Sequence, residues 1–151
     1  MHDVIPTTPR SDRLLLAVSF ACFAIAGVTH VSTAGIVPTA GATILAVAGV
    51  YAAARYADRV TREALAHLSL AFWIAFLAIA GIHAIGLETA AGAVPGPTET
   101  LVLSLTAVTW GTLFSACSAT VFLGFREYGV STGVDVSDEV LDGDTSDYST
   151  R

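Results

Sequence analysis

Lysine, asparagine and glutamine are absent from this chain of 151 residues, and charge of either sign is scarce. Charged residues make up 13% of it, where an ordinary soluble domain carries about 25%. Apolar residues make up 54%, and the mean hydropathy is +0.68. That balance argues against a soluble enzyme, a nucleic-acid binder and a disordered regulator. Catalytic signatures are missing too: there is no serine-centred nucleophile elbow, no HExxH and no phosphate loop. The segments outside the apolar runs are too short to build an active site, so no enzymatic activity is expected. Cysteine occurs only as Cys22 and Cys117, both inside apolar runs, so there is no extracellular disulfide framework.

What the chain holds instead is long uncharged runs. Leu14–Ala54 covers 41 residues, Ala64–Leu87 covers 24 and Thr100–Phe125 covers 26, none with Asp, Glu, Lys or Arg. A bilayer core about 30 Å thick takes roughly 20 helical residues to cross. The second and third runs fit one crossing each. The first fits two, broken at Gly35-Ile36-Val37-Pro38-Thr39. Pro38 cannot extend a helix arriving from its N-terminal side, but it can stand in the first turn of the next. Open strands would leave backbone polar groups unpaired in lipid, and these runs lack the period-two alternation of a barrel. The expected fold is an all-α integral membrane protein, a four-helix transmembrane bundle. Its helices are placed at about 14–36, 39–56, 64–87 and 98–125, within a domain of 14–128.

Every basic residue is Arg, and their positions set an orientation. Arg10 and Arg13 precede the first helix, Arg55, Arg59 and Arg62 lie around the second connection, and Arg126 and Arg151 follow the last run. The other two connections hold only Glu88 and Glu99. Four crossings put all the Arg residues on one side, and basic segments stay cytoplasmic. Both termini are therefore expected in the cytoplasm. Ala24-Ile25-Ala26 before Gly27 has the form of a signal-peptidase site, and a cut there would leave three crossings. The apolar run continuing to Val37, and Asp3 and Asp12 ahead of it, argue against that cut.

Outside the crossings, 1–13 is a short polar cytoplasmic segment. The connection at about 57–63 is brief, which places the second and third helices side by side and antiparallel. The connection at about 88–97 is rich in Ala, Gly and Pro. From 129 to 151, Asp135, Asp138, Glu139, Asp142, Asp144 and Asp147 stand among Ser, Thr and Gly. That composition predicts a disordered acidic tail, either solvating or docking to a basic partner. Phe23–Val28 echoes Leu77–Ile82, a hint of a duplicated helical hairpin.

Lipid gives helices little hydrophobic reason to associate, so small residues that let backbones approach take over. Such stripes occur at Ala42, Ala46, Gly49 and Ala53, at Ala71, Ala75 and Ala78, and at Gly111, Ser115 and Ala119. They predict a tight bundle within one chain, with mid-run Trp73 and Trp110 in its core. Tyr51, Tyr56 and Tyr128 fit an interfacial belt. The crossings contain no carboxylate, which removes the membrane-embedded acid of coupled pumps and the acidic ring of many cation channels.

Histidine is the exception. His30 and His83 fall at matched depth near the Arg-free ends of the first and third helices, which run parallel. His30 shares a helical face with Ser19, Phe23, Ala26, Gly27 and Thr33, and His83 with Phe72, Phe76 and Ala80. Two such imidazoles are candidate cofactor ligands, as axial ligands of haem b or as contacts to a quinone. A metal site wants three or four ligands, and no Met or Cys lies at that depth, so none is expected. The competing reading is structural: a neutral ring bonded to a backbone carbonyl or to a hydroxyl such as Thr29 or Thr33. His67 begins the third helix on the opposite face from His83. Cys22 and Cys117 lie at similar depth, close enough along their helices for a contact.

This acidic composition, with Arg and without lysine, resembles that of small four-helix membrane proteins of halophilic archaea. A GC-rich genome would deplete the same residue types. The resemblance is one of composition and implies no activity. The leading functional expectation is a non-catalytic accessory or assembly subunit of a larger membrane complex. It would sit in membrane lipid beside a partner membrane protein or a second copy, with no nucleic acid. The alternative is an electron-transfer subunit using His30 and His83, and the third reading is an oligomeric passive transporter or channel. The orientation is directly testable: a tag fused after Arg151 should resist external protease in intact cells and be cut once they are permeabilised.

Overall fold

The computed structural model describes residues 9–86, 89, 92–93 and 95–141, with side chains over 11–86, 89, 92–93 and 95–129. Most of the N-terminal segment, Glu88 and the last ten residues of the acidic tail lie outside the described residues. The architecture is all-helical. Its four long helices are α1 (Pro9–Ser32), α2 (Ile36–Ala57), α3 (Arg62–Ile85) and α4 (Thr98–Leu141). Each is long and apolar enough to cross a membrane.

Local chemistry sets the breaks. Gly35 holds φ at 132°, a conformation open to glycine and strained for other residues. α2 begins immediately after it, with Pro38 in the first turn, where a missing N–H breaks no helical bond. Thr61 caps α3, its side chain accepting from the Ala64 N–H at 3.2 Å. Gly86, with φ at 102°, follows the last turn of α3. α4 differs from expectation at its end. It runs on from near 125 to Leu141, because no proline follows Pro97 to stop it. The backbone of 129–141, assigned above to a disordered tail, is thus helical. At 1.5 Å per residue, the 44 residues of α4 extend about 66 Å.

Across the molecule the helices run in the order α2, α1, α4, α3, with a lighter contact between α2 and α4. The expected side-by-side pairing of α2 and α3 is not found. Despite the short turn between them, they share no extended interface. The reason lies in α4, whose Arg-bearing end occupies the space between them. Arg126 donates through Nη1 to the Val60 carbonyl at 2.8 Å, and through Nη2 to the Ala57 carbonyl. Ala119 of α4 joins Ala57 and Leu65 in one buried cluster, flanked by Val60, Phe122 and Leu123. Arg59 pairs with Asp12 at 3.5 Å, and Arg62 with Glu127. Such exposed pairs position the turn more than they stabilise it.

The seams of α1 are built by aromatic rings laid against glycine. Phe23, 1% exposed, covers Gly49 of α2, where a Cβ would stand 2.7 Å from the ring. Phe20 covers Gly111 of α4, also at 2.7 Å from such a Cβ. Trp110 of α4 returns the contact, lying so close over Gly27 that a Cβ there would overlap it. Phe114 stacks on Trp110 at 5.4 Å and meets Phe23 at 5.5 Å. Beneath them, Ser19 Oγ donates to the Gly49 carbonyl at 2.9 Å, a bond available only where backbones approach closely.

The small-residue stripes of α2 and α4 are therefore used within one chain: Ala42, Gly49, Gly111, Ser115 and Ala119 are all buried. The third stripe is not. Ala71 and Ala78 are exposed and Ala75 is half-buried, because α3 meets α4 through a different face. The echo between α1 and α3 also joins unlike surroundings. Phe23 is buried while Leu77 is exposed, and Gly27 lies under Trp110 while Gly81 has open space around it. Gly27→Ala should cost about 1–3 kcal/mol through overpacking, read as a lower melting temperature in detergent. Gly81→Ala should leave that temperature unchanged or raise it.

Candidate functional site

The α3–α4 seam is a ladder of hydroxyl contacts. Thr109 Oγ1 donates to its own Leu105 carbonyl at 2.8 Å, and Thr120 Oγ1 to Ala116 at 2.8 Å. A threonine hydroxyl has one proton. Once that proton is committed to the helix, the oxygen faces its neighbour as an acceptor. At Thr120 it receives Trp73 Nε1–H at 3.1 Å and pairs with Ser69 Oγ at 2.8 Å. At Thr109 it meets His83 Nε2 at 2.8 Å. With the Thr109 proton on the Leu105 carbonyl, the bond forms in the tautomer that carries the His83 hydrogen on Nε2. In that tautomer Nε2 is occupied by the bond to Thr109.

His30 sits elsewhere. It lines a groove of about 240 Å³ between α1, α2 and α4, with Trp110 and Phe114 as aromatic floor and Ala42 and Ala46 as wall. Thr39 and Thr43 edge the groove and give their protons to the Gly35 and Thr39 carbonyls. They too present lone pairs to whatever lies there. The His30 ring is exposed. Of the hydroxyls expected to hold it, Thr33 instead donates to the Thr29 carbonyl at 2.6 Å. His83 does not line this groove. The structure thus places the two candidate imidazoles on different seams, His30 at α1–α2–α4 and His83 at α3–α4. A second groove, about 270 Å³, opens between α1 and α4, lined by Ala24, Val28, Thr29 and Ser104 among others.

The other singled-out residues fall on the periphery. His67 is exposed. Cys22 is half-buried and Cys117 exposed, and both are free thiols. Trp73 and Trp110 are half-buried seam residues rather than the filling of a central core. Among the described residues no three of His, Cys, Asp and Glu gather. Sequence reasoning missed Thr109 and Thr120. That an in-helix threonine commits its proton to its own helix is a general property, but nothing local says which donors will face it.

No family model, no curated protein and no solved structure matches this chain.

The His83–Thr109 bond yields a measurable coupling. His83→Ala and Thr109→Val should each lower stability, and the double variant by less than their sum. The coupling energy should be about 0.6 kcal/mol, in the range of interhelical bonds between membrane helices. Reversible unfolding in mixed micelles measures it.

Proposed function

We propose that this is a multi-pass membrane protein with both termini cytoplasmic, acting as a non-catalytic accessory or assembly subunit of a larger membrane complex. The observation that carries the reading is the free small-residue face of α3. Equivalent faces on α2 and α4 are consumed by packing inside the chain. On α3, Ala71 and Ala78 are exposed, and among the described residues nothing lies within 4 Å of where a Gly81 Cβ would stand. Small residues at helical spacing let a second helix approach closely, which is how helices bind one another in lipid. The position of α3 fits this, since it lies at one edge of the helix order and packs extensively only on α4. At the other end, α4 continues to Leu141 and carries Asp135, Asp138 and Glu139 in a helical backbone. The acidic sequence of that stretch suits a basic surface on the same partner.

A second reading, an electron-transfer subunit, draws support from the groove beside His30. Its aromatic floor and acceptor-lined edge suit a quinone ring, with His30 as the polar contact. A haem held by His30 and His83 together is the less favoured form, since the two rings stand on different seams.

One preparation separates the readings. Purification in native lipid particles should yield a colourless protein with a stoichiometric membrane partner. Ala71→Leu with Ala78→Leu should release that partner without changing the melting temperature of the chain. A chain that purifies alone from its native membrane, or a partner retained by the variant, would refute the proposal. A co-purified quinone lost in His30→Ala, or for the haem form a Soret band lost in that variant, would favour the second reading instead.

A further inference from the structure

Near the Arg-bearing end, the four helices close around a small chamber. All of them contribute lining: Ser19 from α1, Tyr56 from α2, Leu65 and Phe72 from α3, and Ser115 from α4. Its volume is about 10 Å³. A water molecule needs about 10–15 Å³ of such space and two to four polar partners. The size therefore admits one water and excludes a lipid chain, an aromatic ring or a hydrated ion.

The polar lining asks for an occupant. Ser115 is 5% exposed, and its Oγ is buried with no hydrogen-bond partner among the described residues. Neighbouring threonines on the same helix behave differently. Thr109, Thr112 and Thr120 each give their proton to the carbonyl four residues back, whereas Ser115 does not. A buried hydroxyl without a partner forfeits its hydration and gains nothing for it. The rest of the polar lining is complementary. Ser19 Oγ has given its proton to the Gly49 carbonyl, so it offers lone pairs alone. Tyr56 adds a phenol, which can donate or accept.

We propose that the chamber is a hydration site holding a single water. The water accepts from the Ser115 hydroxyl, donates to Ser19 Oγ, and exchanges its remaining bond with the Tyr56 phenol. It cross-links α1, α2 and α4 at the level where α3 also joins them. The site is independent of the partner-binding face of α3.

Radiolytic hydroxyl-radical labelling of the full chain in lipid nanodiscs, read by mass spectrometry, tests this directly. Radicals born from a bound water mark the side chains beside it. Leu65 and Phe72 should be labelled. Phe23, as buried as Leu65 at 1% but outside the chamber, should not. Ser115→Ala should lower the melting temperature by about 2–4 °C, because the water loses a donor. Absence of label at both Leu65 and Phe72 would overturn the proposal. So would a Ser115→Ala melting temperature that is unchanged or raised, the result expected when an unpartnered hydroxyl is removed from a dry site.

Discussion

An aromatic ring resting on a glycine is the contact on which this architecture depends. In the lipid setting proposed for this chain, helices are as apolar as their surroundings, and burying more hydrocarbon gains little. What remains is dispersion at close range, which falls off steeply once a gap opens. Glycine removes the Cβ that would hold a ring away from the neighbouring backbone. Three such contacts radiate from α1: Phe23 on Gly49, Phe20 on Gly111, and Trp110 on Gly27. They make α1 the hub, with α2 on one side and α4 on the other. The Ser19–Gly49 bond follows from the same closeness.

The second seam uses a different device. α3 binds α4 through side-chain donors meeting threonine oxygens whose protons are already committed. Directionality comes from the hydroxyl's single proton. The two devices divide the molecule's candidate sites between them. His83 is absorbed into structure, while His30 is left facing a groove. The Arg-bearing end, gathered by Arg126 on the Ala57 and Val60 carbonyls, is closed around a chamber of about 10 Å³. The Arg-free half instead carries grooves of about 240 and 270 Å³.

Four helices and the break at Gly35 were legible from the uncharged runs and from Pro38, because crossing length and proline chemistry are local. The buried faces of α2 and α4 were legible from their small-residue spacing. The order of the helices was not. A short turn suggested that α2 and α3 pair, but Arg126, more than sixty residues away, decides what lies between them. The α3 stripe misled for a similar reason: small residues permit close packing without saying what packs, and Ser69, Trp73 and His83 found better partners on α4. The end of α4 was not legible, because acidic composition does not say where a helix stops; the backbone continues as helix to Leu141. For the candidate site, the residue type and depth of His30 and His83 were readable. Their separation onto different seams depended on which face of α4 each helix met.

The contact between Gly27 and Trp110 carries the hub role of α1 most directly. Solid-state NMR on the protein in lipid bilayers can observe it without any substitution, as a through-space carbon correlation between the Gly27 Cα and the Trp110 indole. A strong cross-peak at short mixing time is the expected result. Its absence, with Gly27 correlating to lipid acyl chains instead, would contradict the packing of α1 against α4 and with it the order of the helices.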